Sequence, residues 1–267
     1  AIITYYAKPA DTTALSGAPV NAGDYIARIQ LGEASVSVSY TIEKVRLLVT
    51  ANSTVIDYGT APMHDGVSCQ GFVNNEDIDD LDGTLTYDHT YRQFGDVDEY
   101  TITPGGLTSD NYDISFLPGT LEVRPRTVTL TWHNTEGRIY ADDEGAITAT
   151  VSNAVNGDRI GVTVTGGELT AGTHTAAATG LTGDKAKNYQ LSTVDADRTV
   201  QYTVAQAAQT LTFAQQGSLT MTYGDDAFSN AASNNRRDGG SITYASSRES
   251  VATVASDGTV TIHAAGE

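Results

Sequence analysis

The sequence predicts an all-β protein, built as tandem immunoglobulin-like β-sandwich units in an elongated array. Strand and turn formers (Thr, Val, Tyr, Gly, Asp and Asn) dominate its composition, and no segment has a convincing apolar period of 3.6 residues. One phrase also recurs every 81 residues, with equivalent positions at Ile42, Val123 and Val204. Solenoid repeats run roughly 20–50 residues. The longer period therefore indicates a string of small domains, each large enough for its own core.

The first two segments predicted from the repeat are residues 1–44 and residues 45–125. In residues 1–44, apolar positions such as Val36 and Val38 alternate with serines, which is typical of strands with one buried and one wet face. We interpret this segment as a partial β unit, the C-terminal half of a repeat. Residues 45–125 contain about seven short apolar runs at turn-marked intervals, as a complete sandwich unit requires.

The next segment, residues 126–206, repeats this plan. Tyr140 follows Tyr58 by 82 residues, and Asn188 follows Asn111 by 77. We interpret these small differences in spacing as loop insertions. Such insertions cost little stability, because the entropy of loop closure grows slowly with loop length. Residues 207–267 begin like the other repeats but differ in their second half, so they are predicted to form a partial unit. The short connections between segments predict a semi-rigid array.

The net charge of the chain argues against certain classes of partner, and its cysteine content excludes an intrachain disulfide. Thirty-three acidic and fifteen basic residues give a net charge of −18. Nucleic acids and anionic lipid surfaces both require a positive patch, so we expect no nucleic-acid partner and no binding to a membrane surface. The sequence contains no transmembrane run, so we expect no membrane insertion in this segment. Cys69 is the single cysteine, so an intrachain disulfide is impossible. We interpret the chain as an excerpt of a longer secreted protein.

An acidic run raises the hypothesis of a calcium site, because hard cations prefer several carboxylate oxygens on a flexible loop. The run closes at Gly83, but its spacing does not match an EF-hand, and a solvated loop is the alternative. No other cofactor is expected. The candidate metal ligands are Glu76, Asp77, Asp79, Asp80 and Asp82.

Aromatic side chains are the second candidate site. Tyr87, Tyr91 and Phe94 cluster in the first complete unit. Because Tyr91 and Phe94 stand in a polar loop, they are better candidates for exposure than Trp132, and exposed aromatic residues often mark contact surfaces. The alternative, and the commoner outcome for such a loop, is that it folds over its own ring. The three clustered residues are the candidates for contact with a glycan or a host protein. Trp132 shares an apolar face with Leu130 and is expected in the core.

No constellation of residues predicts catalysis. Ser68 and Cys69 lie near His64 in sequence, but the nucleophile elbow that would activate them is absent. The five histidines show no metal-ligand spacing. We therefore expect no enzymatic activity.

A tyrosine followed by a turn residue recurs after the first strand of three segments, at Tyr58-Gly59, Tyr140-Ala141-Asp142 and Tyr223-Gly224-Asp225. The loops Val73–Glu76 and Val155–Asp158 contain Asn-Asn and Asn-Gly pairs, which tolerate positive φ.

These motifs resemble the MBG and YDG-type repeats of large bacterial surface proteins. The strongest part of the resemblance is Tyr100–Leu107 followed by Asn111-Tyr112. Ala141 stands where the tyrosine motif prefers Gly or Asp.

The last segment resembles a bacterial immunoglobulin-like group 2 domain in Ser250–Val254 and Asp257–Val260. Together the resemblances imply extracellular all-β modules and carry over no catalytic residues. They imply a stalk or filament segment of a bacterial cell-surface adhesin, in which neighbouring repeats are the main partners. Two alternatives stay open: an adhesive module that binds glycan or host protein, and a filament subunit that assembles by strand exchange.

Overall fold

The computed structural model describes residues 2–9, 12–140, 145–236 and 240–267. Its secondary structure is nearly all β. The α-helix α1 (Asp195–Arg198) has four residues, and two 3₁₀ turns lie at Ile78–Asp80 and Ala186–Asn188. Within the described residues, no helix has the length and apolar character needed to cross a bilayer. The predicted all-β fold is confirmed.

Within the described residues the structure contains 22 strands. In the first half of the chain they are β1 (Ile2–Ala7), β2 (Gly23–Leu31), β3 (Ala34–Ile42), β4 (Val45–Ala51), β5 (Thr54–Asp57), β6 (Val67–Gln70), β7 (Asp82–His89), β8 (Glu99–Thr108), β9 (Tyr112–Leu117), β10 (Gly119–Arg124), β11 (Arg126–Thr127) and β12 (Leu130–His133). In the second half they are β13 (Thr148–Val151), β14 (Gly161–Thr165), β15 (Gly172–Thr182), β16 (Tyr189–Gln190), β17 (Thr199–Val204), β18 (Leu211–Phe213), β19 (Phe228–Ser229), β20 (Ala232–Asn234), β21 (Ala252–Val254) and β22 (Thr259–Ile262).

The sheets respect the predicted segmentation. No sheet of the described residues combines strands from two of the four predicted segments. Residues 1–44 contribute the sheet β1-β2-β3, and residues 45–125 contribute the sheets β5-β10-β8-β7 and β6-β4-β9. The shorter pairs β11-β16 and β12-β13 follow in residues 126–206. Whether each segment is an independent domain stays a prediction.

Packing divides the chain into two compact units that differ from these segments. The first consists of Ala1–His133, Ile147–Gly166 and Thr175–Val200. The second consists of Asn134–Ala146, Gly167–His174 and Gln201–Glu267.

The core of the first unit continues through residue 125. Tyr58, Leu121 and Val123 belong to the same buried cluster as Val128 and Tyr189. The short connection at Pro125 therefore does not separate two apolar interiors. A second cluster, around Leu47, Val49 and Tyr112, lies on the sheet β6-β4-β9.

The sheet β1-β2-β3 has one apolar face that is largely open. Its register places Ile3, Ile29 and Val36 side by side across the three strands. Val36 and Val38 are 67% and 62% exposed. This sheet belongs to the segment predicted to be a partial unit.

The second unit contains the sheets β18-β20 and β19-β22-β21. Its Tyr140 N–H donates to the Ala205 carbonyl at 2.9 Å, as the Tyr58 N–H donates to the Arg124 carbonyl at 2.9 Å in the first unit. Tyr223 is exposed. Ala141 and Asp142 of the tyrosine motif lie outside the described residues.

Candidate functional site: the repeat junctions

Each Asn-Tyr pair places a buried tyrosine under a tight turn of its own segment. The tyrosine is the first residue of a strand, β9 or β16, and the asparagine lies directly before that strand. Tyr112 Oη accepts the Val73 N–H at 3.1 Å and lies 2.5 Å from Glu76 Oε2. Tyr189 Oη accepts the Val155 N–H at 3.0 Å and donates to Asp158 Oδ2 at 2.9 Å. We call Tyr112 and Tyr189 the hub tyrosines.

The turns above the hub tyrosines have the conformation that their asparagines predict. Asn74 and Asn75 have φ values of 58° and 61°, and Asn156 and Gly157 have 55° and 72°. Asparagine and glycine tolerate this left-handed region, which a tight turn with two consecutive residues of positive φ requires. The prediction of positive φ in these loops is confirmed.

The asparagine of each pair binds a turn of the preceding segment, and we call Asn111 and Asn188 the bridging asparagines. At the first junction, Asn111 Oδ1 accepts the Ala22 N–H at 2.9 Å, and Asn111 Nδ2 donates to Asn21 Oδ1 at 3.3 Å. Lys44 Nζ donates to the Ser109 carbonyl at 2.8 Å. A cavity of about 120 Å³ lies beside these groups, lined in part by Asn21 and Asn111.

The second junction has the same backbone contact with a charged addition. Asn188 Oδ1 accepts the Val97 N–H at 2.9 Å, and Asn188 Nδ2 donates to Asp96 Oδ1 at 2.8 Å. Asp96 also binds Lys185 Nζ at 2.8 Å and Lys187 Nζ at 2.6 Å. Three nitrogen donors of residues 126–206 therefore converge on one carboxylate of residues 45–125.

The turns that the bridging asparagines bind are themselves equivalent. Tyr25 Oη donates to the Asn21 carbonyl at 3.0 Å, and Tyr100 Oη donates to the Asp96 carbonyl at 2.7 Å. Each tyrosine hydroxyl binds a carbonyl four residues earlier in the chain and so fixes a turn. The N–H of the residue after that carbonyl donates to the bridging asparagine. In the second unit, His174 Nε2 lies 2.6 Å from the Thr170 carbonyl in the same arrangement.

The tyrosine motif at Tyr58-Gly59 is also part of the second junction. The Tyr58 ring is fully buried and packs edge-on against the Tyr189 ring, with centroids 5.4 Å apart. Its hydroxyl donates to Asp158 Oδ2 at 2.9 Å, so both phenols share one carboxylate. Gly59 has a φ of 90°, and a Cβ there would lie 2.7 Å from Val155 Cγ2. Glycine thus meets both a turn requirement and a close approach of the next repeat.

The pKa values of the junction side chains are shifted by burial and by hydrogen bonds to neighbouring groups. Burial, reinforced by the hydrogen bond to Asp158, raises the pKa of Tyr58 to about 12. Burial likewise raises the pKa of Tyr189. The hydrogen bond from Lys185, followed by those from Lys187 and Asn188, holds the pKa of Asp96 well below its ordinary value. Asp96 is therefore ionised at neutral pH.

Tyr91 is not exposed, and its loop has the alternative form, folded over its own ring. Its ring is fully buried in the core cluster, 5.0 Å from the Tyr100 ring. The Tyr91 hydroxyl donates to the Thr60 carbonyl at 3.1 Å and accepts the Phe94 N–H at 3.2 Å. The polar loop therefore folds over its own aromatic ring, whose hydroxyl satisfies two backbone groups.

The other predicted contact residues are half-buried. Phe94 has a φ of 68°, an uncommon conformation for a bulky residue. Tyr87 is stacked against the exposed His64 ring, with centroids 3.5 Å apart. Trp132 is half-buried at one wall of a groove rather than enclosed in the core.

Two of the predicted calcium ligands, Asp77 and Asp80, form side-chain hydrogen bonds within their own loop, and Asp79 and Asp82 are exposed. Asp77 caps the 3₁₀ turn by accepting the Asp79 N–H at 2.9 Å, and Asp80 accepts the Asp77 N–H at 2.8 Å. Glu76 is bound by Tyr112. In the part of the chain that the structure describes, no three His, Cys, Asp or Glu side chains are arranged to hold a metal ion. Calcium binding stays a prediction without geometric support.

Sequence reasoning recognised the Asn-Tyr pairs but missed the role of their asparagines. It also missed Asp96, Lys185 and Lys187. A signal was present, because Ala22 and Val97 precede the bridging asparagines by 89 and 91 residues, a nearly constant interval. Without a structure, that interval does not distinguish contact from coincidence.

Comparison with known families bears on the same region. Residues 47–122 match the MBG domain (YGX type), and Tyr58-Gly59-Thr60 within this range has that pattern. The match suggests a module of the kind associated with surface adhesins. No curated protein matches the chain.

Proposed function

We propose that this chain is a structural stalk segment of a bacterial cell-surface adhesin, which spaces a binding tip from the cell. In this proposal the chain is extracellular and not an enzyme, and its main partners are its own neighbouring repeats. The match to a surface-adhesin module and the net charge of −18 support this location.

The observation that carries the proposal is the repetition of one junction. Asn111 and Asn188 each bind the N–H of an equivalent turn in the preceding segment. A stalk requires the same geometry at each connection, whereas a catalytic site requires one constellation at one place. Hydrogen bonds to backbone groups fix orientation as well as distance, because they are directional.

The test measures how tightly the junctions hold their segments. Spin labels are introduced through Ser37→Cys in β3 and Thr163→Cys in β14, both exposed positions, in a Cys69→Ser background. Pulsed electron resonance then gives the distribution of the distance between the labels. We expect a narrow distribution, and a broader one when Asn111→Ala and Asn188→Ala are combined.

The matched control is Gln70→Ala, an exposed amide on β6. It removes an amide of similar chemistry away from the junctions and should leave the distribution narrow. An equally broad distribution for the unmodified chain, the double variant and the control would contradict the stalk proposal.

A second candidate function is an adhesive module for host glycan or protein. The stack of His64 on Tyr87 favours it, because the exposed His64 ring presents an aromatic face that suits the face of a sugar ring. Glycan-array binding that is lost in His64→Ala would support this function. Array binding that is unchanged by this substitution would exclude the stack as its site.

A third candidate is self-assembly by strand exchange. The open apolar face of β1-β2-β3 favours it, because unpaired strands and apolar faces are adhesive. Particle length that increases with protein concentration would support assembly, and a constant mass across the same concentrations would exclude it.

A further inference from the structure

Two equivalent pairs of parallel strands differ greatly in length. In residues 45–125, β9 pairs with β4 over six positions, from Val45 with Tyr112 to Thr50 with Leu117. In residues 126–206, β16 pairs with β11 over two positions, Arg126 with Tyr189 and Thr127 with Gln190. The two ladders begin in the same register, and the second then stops.

The second ladder stops because the chain turns away after Gln190. Ser192 Oγ accepts the Val194 N–H at 3.1 Å and donates to Asp197 Oδ2 at 2.7 Å, which leads into α1. The residues that would correspond to Ile114–Leu117 therefore do not continue as a strand. Among the described strands, β12 pairs with β13 alone.

The backbone of β12 has hydrogen-bonding groups that face this vacated position. The Thr129 carbonyl accepts the Ser152 N–H at 2.9 Å, which fixes the alternation of the antiparallel ladder. Thr131 is therefore hydrogen-bonded toward β13. The peptide groups of Leu130 and Trp132 point to the other side, where β9 lies in the preceding repeat.

A groove of about 570 Å³ occupies this position. Thr129, Leu130 and Trp132 form one wall, and Ala196 and Asp197 from the α1 segment contribute to the other. The volume falls within the range of about 300–1,000 Å³ for ligand pockets. We call it the strand slot.

We propose that the strand slot binds an extended peptide segment of a partner protein, which adds to β12 as a parallel strand. Addition of a strand to an open sheet edge gives affinity through backbone hydrogen bonds and specificity through alternate side chains. The preceding repeat shows the side-chain pattern that fits, because Ile114, Ser115 and Phe116 occupy the equivalent position. The partner segment therefore has apolar residues at alternate positions.

Charge selects a neutral or basic partner over a second copy of this chain. Two copies, each with a net charge of −18, repel each other, and the groove is bordered by the carboxylate of Asp197. No lysine or arginine is among the residues that line the groove within the described chain. This inference goes beyond the stalk function and does not depend on it.

The test uses the full chain, in which Trp132 is the single tryptophan and lies in the groove wall. The probe is a blocked hexapeptide, Lys-Ile-Ser-Phe-Leu-Lys, which carries the sequence Ile114–Leu117 between two lysines. We expect a saturable change in tryptophan fluorescence on titration. The same peptide with a methyl group on the serine amide nitrogen should bind about tenfold more weakly, because it lacks one backbone donor.

A matched pair of variants assigns the site. Leu130→Pro removes the backbone N–H that faces the slot. Leu130→Ala shortens the side chain but retains this N–H. Proline is tolerated at a strand edge whose N–H faces outward, so the fold should persist, and circular dichroism checks this. We expect binding about tenfold weaker for Leu130→Pro than for Leu130→Ala.

Three results would overturn the proposal. The first is the absence of a saturable fluorescence change. The second is equal affinity for the methylated and unmethylated peptides. This comparison uses the unmodified chain, so it does not depend on whether a variant folds. The third is self-association of the chain that the peptide displaces, because it would make a second copy the occupant.

Discussion

The two junctions of the first unit share a backbone contact and differ in the charges around it. At Asn111 the partner side chain is the neutral Asn21, at 3.3 Å, beside a cavity of about 120 Å³. At Asn188 the partner is Asp96, which also binds Lys185 and Lys187. The hydrogen bond that both junctions share, from a backbone N–H to the asparagine side chain, fixes the orientation of one segment against the next. The differing part therefore sets strength and sensitivity to pH and salt.

The second junction also buries Tyr58, a tyrosine from the preceding segment. Tyr58 and Tyr189 both donate to Asp158, whereas the corresponding carboxylate, Glu76, is bound by Tyr112. Buried aromatic pairs contribute beyond their burial area. We therefore expect variants at the second junction to lose more stability than their counterparts at the first.

The largest expected effect is that of Tyr58→Ala. It removes a fully buried ring and leaves a cavity against Tyr189, which should lower the free energy of unfolding by about 3–5 kcal/mol. Urea unfolding followed by circular dichroism measures the change. Tyr58→Phe keeps the ring and removes one hydrogen bond, so it should lose about 0.5–1.5 kcal/mol. Equal losses for the two variants would show that the hydroxyl, rather than the ring, stabilises the junction.

A smaller difference should separate the two bridging asparagines. Asn188 is fully buried, so Asn188→Ala leaves the Val97 N–H without its acceptor and should lose about 1–3 kcal/mol. Asn111 is partly exposed, so water can replace its contact with Ala22, and Asn111→Ala should lose about 0.5–1 kcal/mol. The same unfolding experiment measures both. A larger loss for Asn111→Ala would reverse the proposed order of the junctions.

Acid should weaken the second junction through Asp96. Its pKa in the folded chain lies below the unfolded value of about 3.9, so its ionised form stabilises the fold above that pH. This stabilisation is lost as the pH falls below about 4 toward the folded pKa. Asp96→Asn should therefore lower the melting temperature at neutral pH and flatten its decline in acid. An unchanged acid limb in Asp96→Asn would assign the decline to other carboxylates.

Local patterns predicted the parts of the molecule that depend on local chemistry. Alternation identified strands such as β3 and β4, and the asparagine turns at Asn74 and Asn156 have the predicted backbone. The sequence could not decide between exposure and burial of Tyr91, because its hydroxyl binds Thr60, 31 residues earlier. The partnership of Asn188 with Val97 spans 91 residues and likewise depends on how repeats pack. The short length of β16 could not be predicted, because the pair at its start, Asn188-Tyr189, is the same as Asn111-Tyr112 at the start of the longer β9.

The smallest expected effect is that of calcium on the loop at the first junction's hub tyrosine. Asp77 and Asp80 already accept backbone N–H groups, and Glu76 is bound by Tyr112, so a cation would have to displace these contacts. We expect the same melting temperature with calcium and with a chelator, as measured by calorimetry. A calcium-dependent rise that disappears in Asp79→Asn, a carboxylate without a role in the turn's two capping bonds, would establish a site. It would also make the first junction, rather than the second, the one that responds to ions.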